Sequence, residues 1–167
     1  WGITAFLVEN TFDGYTASPA REKLGLRTTP LGEITLKDCF VPEENRLGPD
    51  GAGVSIFNSS MEWERSFIFA SHIGAMERQL ERAISFAKQR RQFGQPIGKF
   101  QSVSNRIADM KLRLETARLH LYKAAWLKDT AQPYRHAAAR AKLYARESAV
   151  SATRIATQVF GGAGFLD

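Results

Sequence analysis

The chain has 167 residues, enough for one ordinary domain or two small ones, and its 44% hydrophobic and 24% charged residues are globular rather than disordered composition. Its longest apolar runs, such as Ile3 to Val8, are far too short to span a bilayer. The single cysteine, Cys39, excludes an internal disulfide and favours a reducing compartment. The net charge of +6 is uneven: residues 1–60 carry −3 and the remainder +9. A basic second part points to an acidic partner such as nucleic acid, a membrane surface or a phosphate-bearing cofactor. Its cations are scattered, however, and equally describe solvated helix faces.

The first fifty residues read as β. Ile3-Thr4-Ala5-Phe6-Leu7-Val8 is rich in strand formers, and Thr11-Phe12-Asp13-Gly14 follows as a turn signal. The chain opens at Trp1 inside this strand-like run, as expected of a piece of a longer polypeptide. Glu33 to Val41 alternates polar and apolar residues, the pattern of a strand with one solvated face, and Pro42 stops it. Gly48-Pro49-Asp50-Gly51-Ala52-Gly53 is the clearest breaker cluster, which divides the chain into 1–52 and 53–167.

From Val54 the period becomes helical. Phe69, Ile73, Met76, Leu80, Ile84 and Ala87 recur at three- and four-residue steps and predict a helix running up to Phe93-Gly94-Gln95-Pro96. Val103, Ile107, Met110, Leu114, Ala117, Leu121 and Ala124 form an unbroken seam of a second helix packed nearly antiparallel to its neighbours. After Gln132-Pro133, a third helix carries Ala137, Ala141, Ser148, Ala152, Ile155 and Val159, whose small residues allow close approach, and it ends at Gly161-Gly162. A bundle normally closes with a fourth helix. The expectation is that this element is missing from the chain or supplied by another subunit.

No metal-ligand spacing, nucleophile elbow or Walker-type phosphate loop occurs. His72, His120 and His136 lie far apart and read as packing or surface residues, and Cys39 as structural. Glu64 is more informative. On a helix its neighbours at three and four positions are Ser60, Met61, Phe67 and Ile68, a mostly apolar face with no basic partner. Desolvation there would raise its pKa and suit it to general-base work, whereas the bland alternative is an exposed acid near a helix start. Glu62 faces Arg65 instead and reads as a surface ion pair. Arg90-Arg91-Gln92-Phe93-Gly94, with Gln101 beyond, is either a cationic helix end with a glycine stop or a phosphate clamp beside an aromatic. Gln158 with Gly161, Gly162 and Gly164 is either a C-cap or a place where a ligand approaches the backbone.

Lys23-Leu24-Gly25-Leu26-Arg27-Thr28-Thr29-Pro30 and Phe40-Val41-Pro42-Glu43-Glu44-Asn45-Arg46-Leu47-Gly48 together resemble the end of the β-domain of the acyl-CoA dehydrogenase family. Arg90 to Gly94 with Phe100-Gln101, Ala108-Asp109-Met110, and Gln158 to Phe165 resemble signatures of that family's C-terminal domain. The resemblance implies an α+β fold: the end of an antiparallel β-barrel-like middle domain over 1–52, then an incomplete C-terminal four-helix bundle over 53–167. It implies an FAD-dependent dehydrogenase that desaturates an acyl-CoA thioester between its α- and β-carbons, or a carrier-protein-tethered acyl or prolyl group. Electrons would pass to an electron-transfer flavoprotein, or to oxygen in an oxidase variant.

By the same resemblance Glu64, in a Glu-Arg pair, matches one of two locations of the family's catalytic glutamate, the other lying beyond this chain. Arg65 would lie near the thioester. Arg90, Gln92, Phe93, Gln101, Gln158 and Gly162 would contact the adenine and pyrophosphate part of FAD, belonging to a neighbouring subunit of a homodimer or homotetramer. The implied compartment is bacterial cytoplasm or mitochondrial matrix, with neither nucleic acid nor membrane as partner, and the chain alone is expected to be inactive. A competing reading from the charge, a basic helical nucleic-acid module, predicts salt-sensitive binding and no flavin.

Overall fold

The computed structural model describes residues 2–166, so Trp1 and Asp167, the outer ends of the two expected domains, lie outside it. Two compact units divide at Ser59 and Ser60. In the first, β1 (Ala5–Phe6) pairs antiparallel with β4 (Arg46–Leu47), and β2 (Tyr15–Ala17) with β3 (Ile34–Leu36) in the register Tyr15↔Leu36. Gly14 is required where β2 begins. Its φ is +81°, and a Cβ there would lie 2.1 Å from the Lys37 carbonyl oxygen. The strand expected over 33–41 ends at Leu36, because Asp38 turns the backbone into positive φ (51°).

The barrel-like part of the expectation is not confirmed by the strands of this chain. A barrel pairs every strand on both edges, whereas here the strands form separate two-stranded sheets. Apolar side chains on them remain open, Ile34 at 65% and Leu36 at 51% exposure, and none of the buried core residues precedes Ile73.

The breaker cluster marks the start of α1 (Gly53–Phe67), where the Gly53 N–H donates to the Ile3 carbonyl oxygen at 2.6 Å. A helix running unbroken through Phe69 is not what forms. Phe67 and Phe69 both pack against the core, and residues two apart on a helix point about 200° apart, so one helix could not deliver both. The chain breaks at Ile68–Phe69 and restarts as α2 (Ala70–Gln89). This helix also ends earlier than expected, and a hairpin of β5 (Arg91–Gln92) and β6 (Gln95–Pro96) follows it.

α3 (Gln101–Asp129) and α4 (Arg135–Phe160) complete the helical unit. Gln79 Nε2 donates to Thr153 Oγ1 at 3.1 Å and the Phe86 and Phe160 rings lie 5.0 Å apart, so α2 and α4 run parallel. Arg118 pairs with Glu77 at 2.8 Å across the antiparallel α3. The α3 seam is buried from Met110 to Ala124. On α4 the buried face is almost wholly alanine, including Ala138, Ala145 and Ala156, which the periodic reading did not single out. Among the described residues the bundle consists of three mutually packed helices; four-helix closure is not seen. Among the described residues no helix is long and apolar enough to cross a membrane.

Candidate cofactor and base sites

The up-down-up order sends the expected site residues to two ends of the bundle. The end of α2, the start of α3 and the end of α4 share one end, which brings Arg90, Gln92, Phe93 and Gln101 to the same end as Gln158 and Gly162. Glu64 and Arg65 sit at the other, next to residues that contact the end of α3 and the start of α4. α2 alone separates the two by about 30 Å, from its 20 residues at ~1.5 Å rise each.

At the first end the hairpin has an unusual tip. Phe93 (φ 50°) and Gly94 (φ 79°) both take positive φ, as a two-residue type I′ turn demands. Asn-Gly is the usual choice, since a bulky side chain in this region costs roughly 1–2 kcal/mol. Phe93 is moreover 92% exposed, touching the Phe100 ring edge-on at 6.2 Å. Arg91 Nη2 donates to the Gly94 carbonyl at 2.9 Å and holds the turn, leaving Arg90, Gln92 and Gln101 exposed around it. The tip thus combines a bare aromatic in strained backbone with exposed guanidinium and amide groups at the same end of the bundle. Beside it a mainly apolar cleft of about 400 Å³ is lined by Ile84, Ala87, Pro96 and Ile107 with Lys88 and Lys99. Periodicity had assigned Ile84, Ala87 and Ile107 to the core and gave no sign of this opening.

The three terminal glycines have separate reasons. Gly161 adopts φ 59° and ψ −132°, open essentially to glycine alone. A Cβ on Gly164 would meet the Thr157 carbonyl oxygen at 2.6 Å. Gly162 has neither constraint and faces open space. Gln158 and Gly161 line a cleft of about 330 Å³ with Thr153, Arg154, Thr157 and Phe165.

At the other end the desolvation expected of Glu64 is corrected: the side chain is exposed, as are Arg65 and Ile68, while Met61 and Phe67 are half-buried. Phe67 turns into the core and leaves the carboxylate outside. Glu62 does not rely on helical spacing for its ion pair. Its partner is Arg135, 73 residues on, at 2.6 Å, and the Glu62 side chain is only 22% exposed. Hydrogen bonding from Arg135 holds its carboxyl below the usual carboxylate range, with smaller contributions from Tyr134 and Lys128. These three residues had no local signal in the sequence. Cys39 is a free, half-buried thiol, and no group of three or more His, Cys, Asp or Glu side chains is placed to hold a metal among the described residues.

Residues 51–167 match the family model of the acyl-CoA dehydrogenase C-terminal domain. An L-prolyl-[peptidyl-carrier protein] dehydrogenase of Pseudomonas fluorescens is 48% identical over 99% of this chain and 44% of its own length. A solved structure of PigA with FAD and proline is 44% identical, with a TM-score of 0.93 over 98% of this chain and 43% of that one. Butyryl-CoA dehydrogenase from Megasphaera elsdenii is 40% identical, with a TM-score of 0.95 over 99% of this chain and 43% of that one. The chain thus spans less than half the length of each.

Proposed function

Since the chain belongs to the acyl-CoA dehydrogenase family, we propose that the whole protein is an FAD-dependent dehydrogenase that desaturates an acyl thioester between its α- and β-carbons. The observation that carries the cofactor reading is the strained, 92%-exposed Phe93 amid Arg90, Gln92 and Gln101. Arg90 supplies a guanidinium for pyrophosphate, Phe93 a face for adenine, Gln92, Gln101 and Gln158 amide hydrogen bonds, and Gly162 a backbone a ligand can approach. Bound FAD supplies the acceptor for the hydride that leaves the β-carbon.

Glu64 takes the α-proton on its carboxylate and becomes a neutral acid, so one C–H pair is converted to a double bond with proton and hydride both accounted for. Its exposure in this chain leaves it accessible, and desolvation comes when thioester and flavin cover it. Arg65, next in sequence and also exposed, faces the thioester. Glu64, proposed for the flavin-ring end, and the Phe93 end, proposed for the adenine, lie too far apart along α2 for one FAD to reach both within a subunit. That separation favours a homodimer or homotetramer in which each helical domain reaches a neighbour's FAD. Electrons then leave through an electron-transfer flavoprotein.

The 48% identity to a prolyl-carrier dehydrogenase favours a carrier-tethered prolyl group as substrate. The fold match to butyryl-CoA dehydrogenase supports acyl-CoA as the second reading. In anaerobic titrations of the FAD-loaded protein, prolyl-carrier thioester is expected to bleach the flavin band at least about 10-fold faster than butyryl-CoA. The opposite order selects the second reading, and a colourless protein retained on heparin would refute both.

The adenine end has its own test. Phe93→Asn relieves the left-handed strain and is expected to stabilise the protein without FAD by about 0.5–1 kcal/mol. It also removes the aromatic face, whose burial is worth about 1.5–3 kcal/mol, so FAD affinity falls roughly 10- to 100-fold. Calorimetric unfolding and flavin titration read the two effects separately. Unchanged affinity would remove Phe93 from the cofactor site.

A further inference from the structure

Glu64 lies in the last turn of α1, three residues before that helix ends at Phe67. A base on a helix end is only as well aimed as that end is held. Its two preceding neighbours are gripped by the end of α3 and the start of α4. Glu62 Oε1 accepts from Arg135 Nε at 2.8 Å and pairs with Nη2 at 2.6 Å. The Lys128 ammonium sits 4.0 Å from the centre of the Trp63 ring, which packs on Phe67 at 5.3 Å. The same ammonium lies 4.8 Å from the Tyr134 ring and donates to its hydroxyl at 3.4 Å.

The loop that joins these two helix ends, residues 130–134, is itself fixed. Thr130 Oγ1 donates to the Trp126 carbonyl at 2.7 Å, and Gln132 Nε2 donates to Thr130 Oγ1 at 2.9 Å. The Gln132 N–H closes the turn on the Leu127 carbonyl at 2.8 Å. Successive helical residues point about 100° apart. With Glu62 and Trp63 turned to these two helix ends, Glu64 is therefore directed to the open side, where it is exposed.

We propose that Arg135, with Lys128 and Tyr134, is a positioning device for Glu64: it locks the rotation of the end of α1 by holding Glu62 and Trp63. The device rests on Glu64 as the base, but one of its two readouts does not depend on that assignment. A general base misplaced by about 1 Å loses up to roughly 100-fold in rate, so the lock acts on the chemical step rather than on binding.

The test uses the whole FAD-loaded protein with Arg135→Ala, Arg135→Lys, and the charge swap Glu62→Arg with Arg135→Glu. Arg135→Ala is expected to slow single-turnover flavin reduction at saturating substrate about 10- to 100-fold, with FAD content and half-saturating substrate unchanged. Hydrogen exchange of the amides of residues 63–68 should quicken by about 10-fold or more. Arg135→Lys should fall between, and the charge swap should restore both readouts towards those of the unaltered protein. Exchange that stays slow in Arg135→Ala overturns the lock. Quickened exchange with unchanged reduction overturns the positioning role, while the base assignment is judged separately by Glu64→Gln. Loss of FAD in every variant with no rescue by the swap would make the pair merely structural and also overturns it.

Discussion

Glu64→Gln is expected to keep FAD and substrate bound yet slow substrate-driven flavin reduction by about 10²–10⁴-fold, the usual contribution of a general base. The amide is nearly isosteric, and the side chain is exposed at the end of α1 rather than built into the core, so folding gives it little to lose. An α-proton beside a thioester is weakly acidic, and an amide cannot accept it at neutral pH. Glu64→Asp keeps the carboxylate but draws it back by one methylene, so it should retain an intermediate rate. Rapid-mixing spectroscopy under anaerobic conditions separates the bound complex from the bleaching step. If Glu64→Gln reduces its flavin at a near-normal rate, the base lies elsewhere.

That expectation draws on two different kinds of information. Helical spacing alone put Glu64 on an apolar face and predicted burial. The structure leaves it exposed, because Phe67, one of those apolar neighbours, turns into the core at a break the periodicity did not reveal. Periodicity treats a helix as infinite, whereas Phe67 and Phe69 reach one core only when the helix is interrupted between them. The Arg135–Glu62 pair was illegible for a related reason: it spans 73 residues, and only the antiparallel return of α3 and start of α4 bring its halves together.

The helical seams were far more legible. Met110, Leu114, Ala117, Leu121 and Ala124 are all buried where the 4-3 spacing placed them. The β half was read too generously, since alternation continued through Asp38 while the backbone did not. At the adenine end, the identities of Arg90, Gln92 and Phe93 were visible, but their geometry was not. The stretch reads equally as a helix stop, and the positive φ of Phe93 and its bare ring are what favour the proposed binding tip over a cap.

The seam supplies the largest stability prediction. Leu114 is 1% exposed in the middle of α3. Truncation of such a residue costs about 2–5 kcal/mol, the spread depending on how far the surroundings collapse into the cavity. The same core cluster mixes Ala83, Ala87, Ala117, Ala145, Ala152 and Ala156 with the longer Ile73, Met76, Leu80, Met110, Leu121 and Val159. A methyl group has no rotamer with which to reach into the gap. Leu114→Ala should therefore cost about 2–5 kcal/mol. Leu112, two residues away on the same helix, is 64% exposed, and Leu112→Ala should cost less than about 0.5 kcal/mol. Urea unfolding followed by helical circular dichroism measures both against the unaltered protein. Because α2, α3 and α4 fix both the Phe93 end and the Arg135 end, Leu114→Ala should also weaken FAD retention on warming, before the helices melt. Equal costs at Leu112 and Leu114 would mean that the α3 seam is not the interior of the bundle.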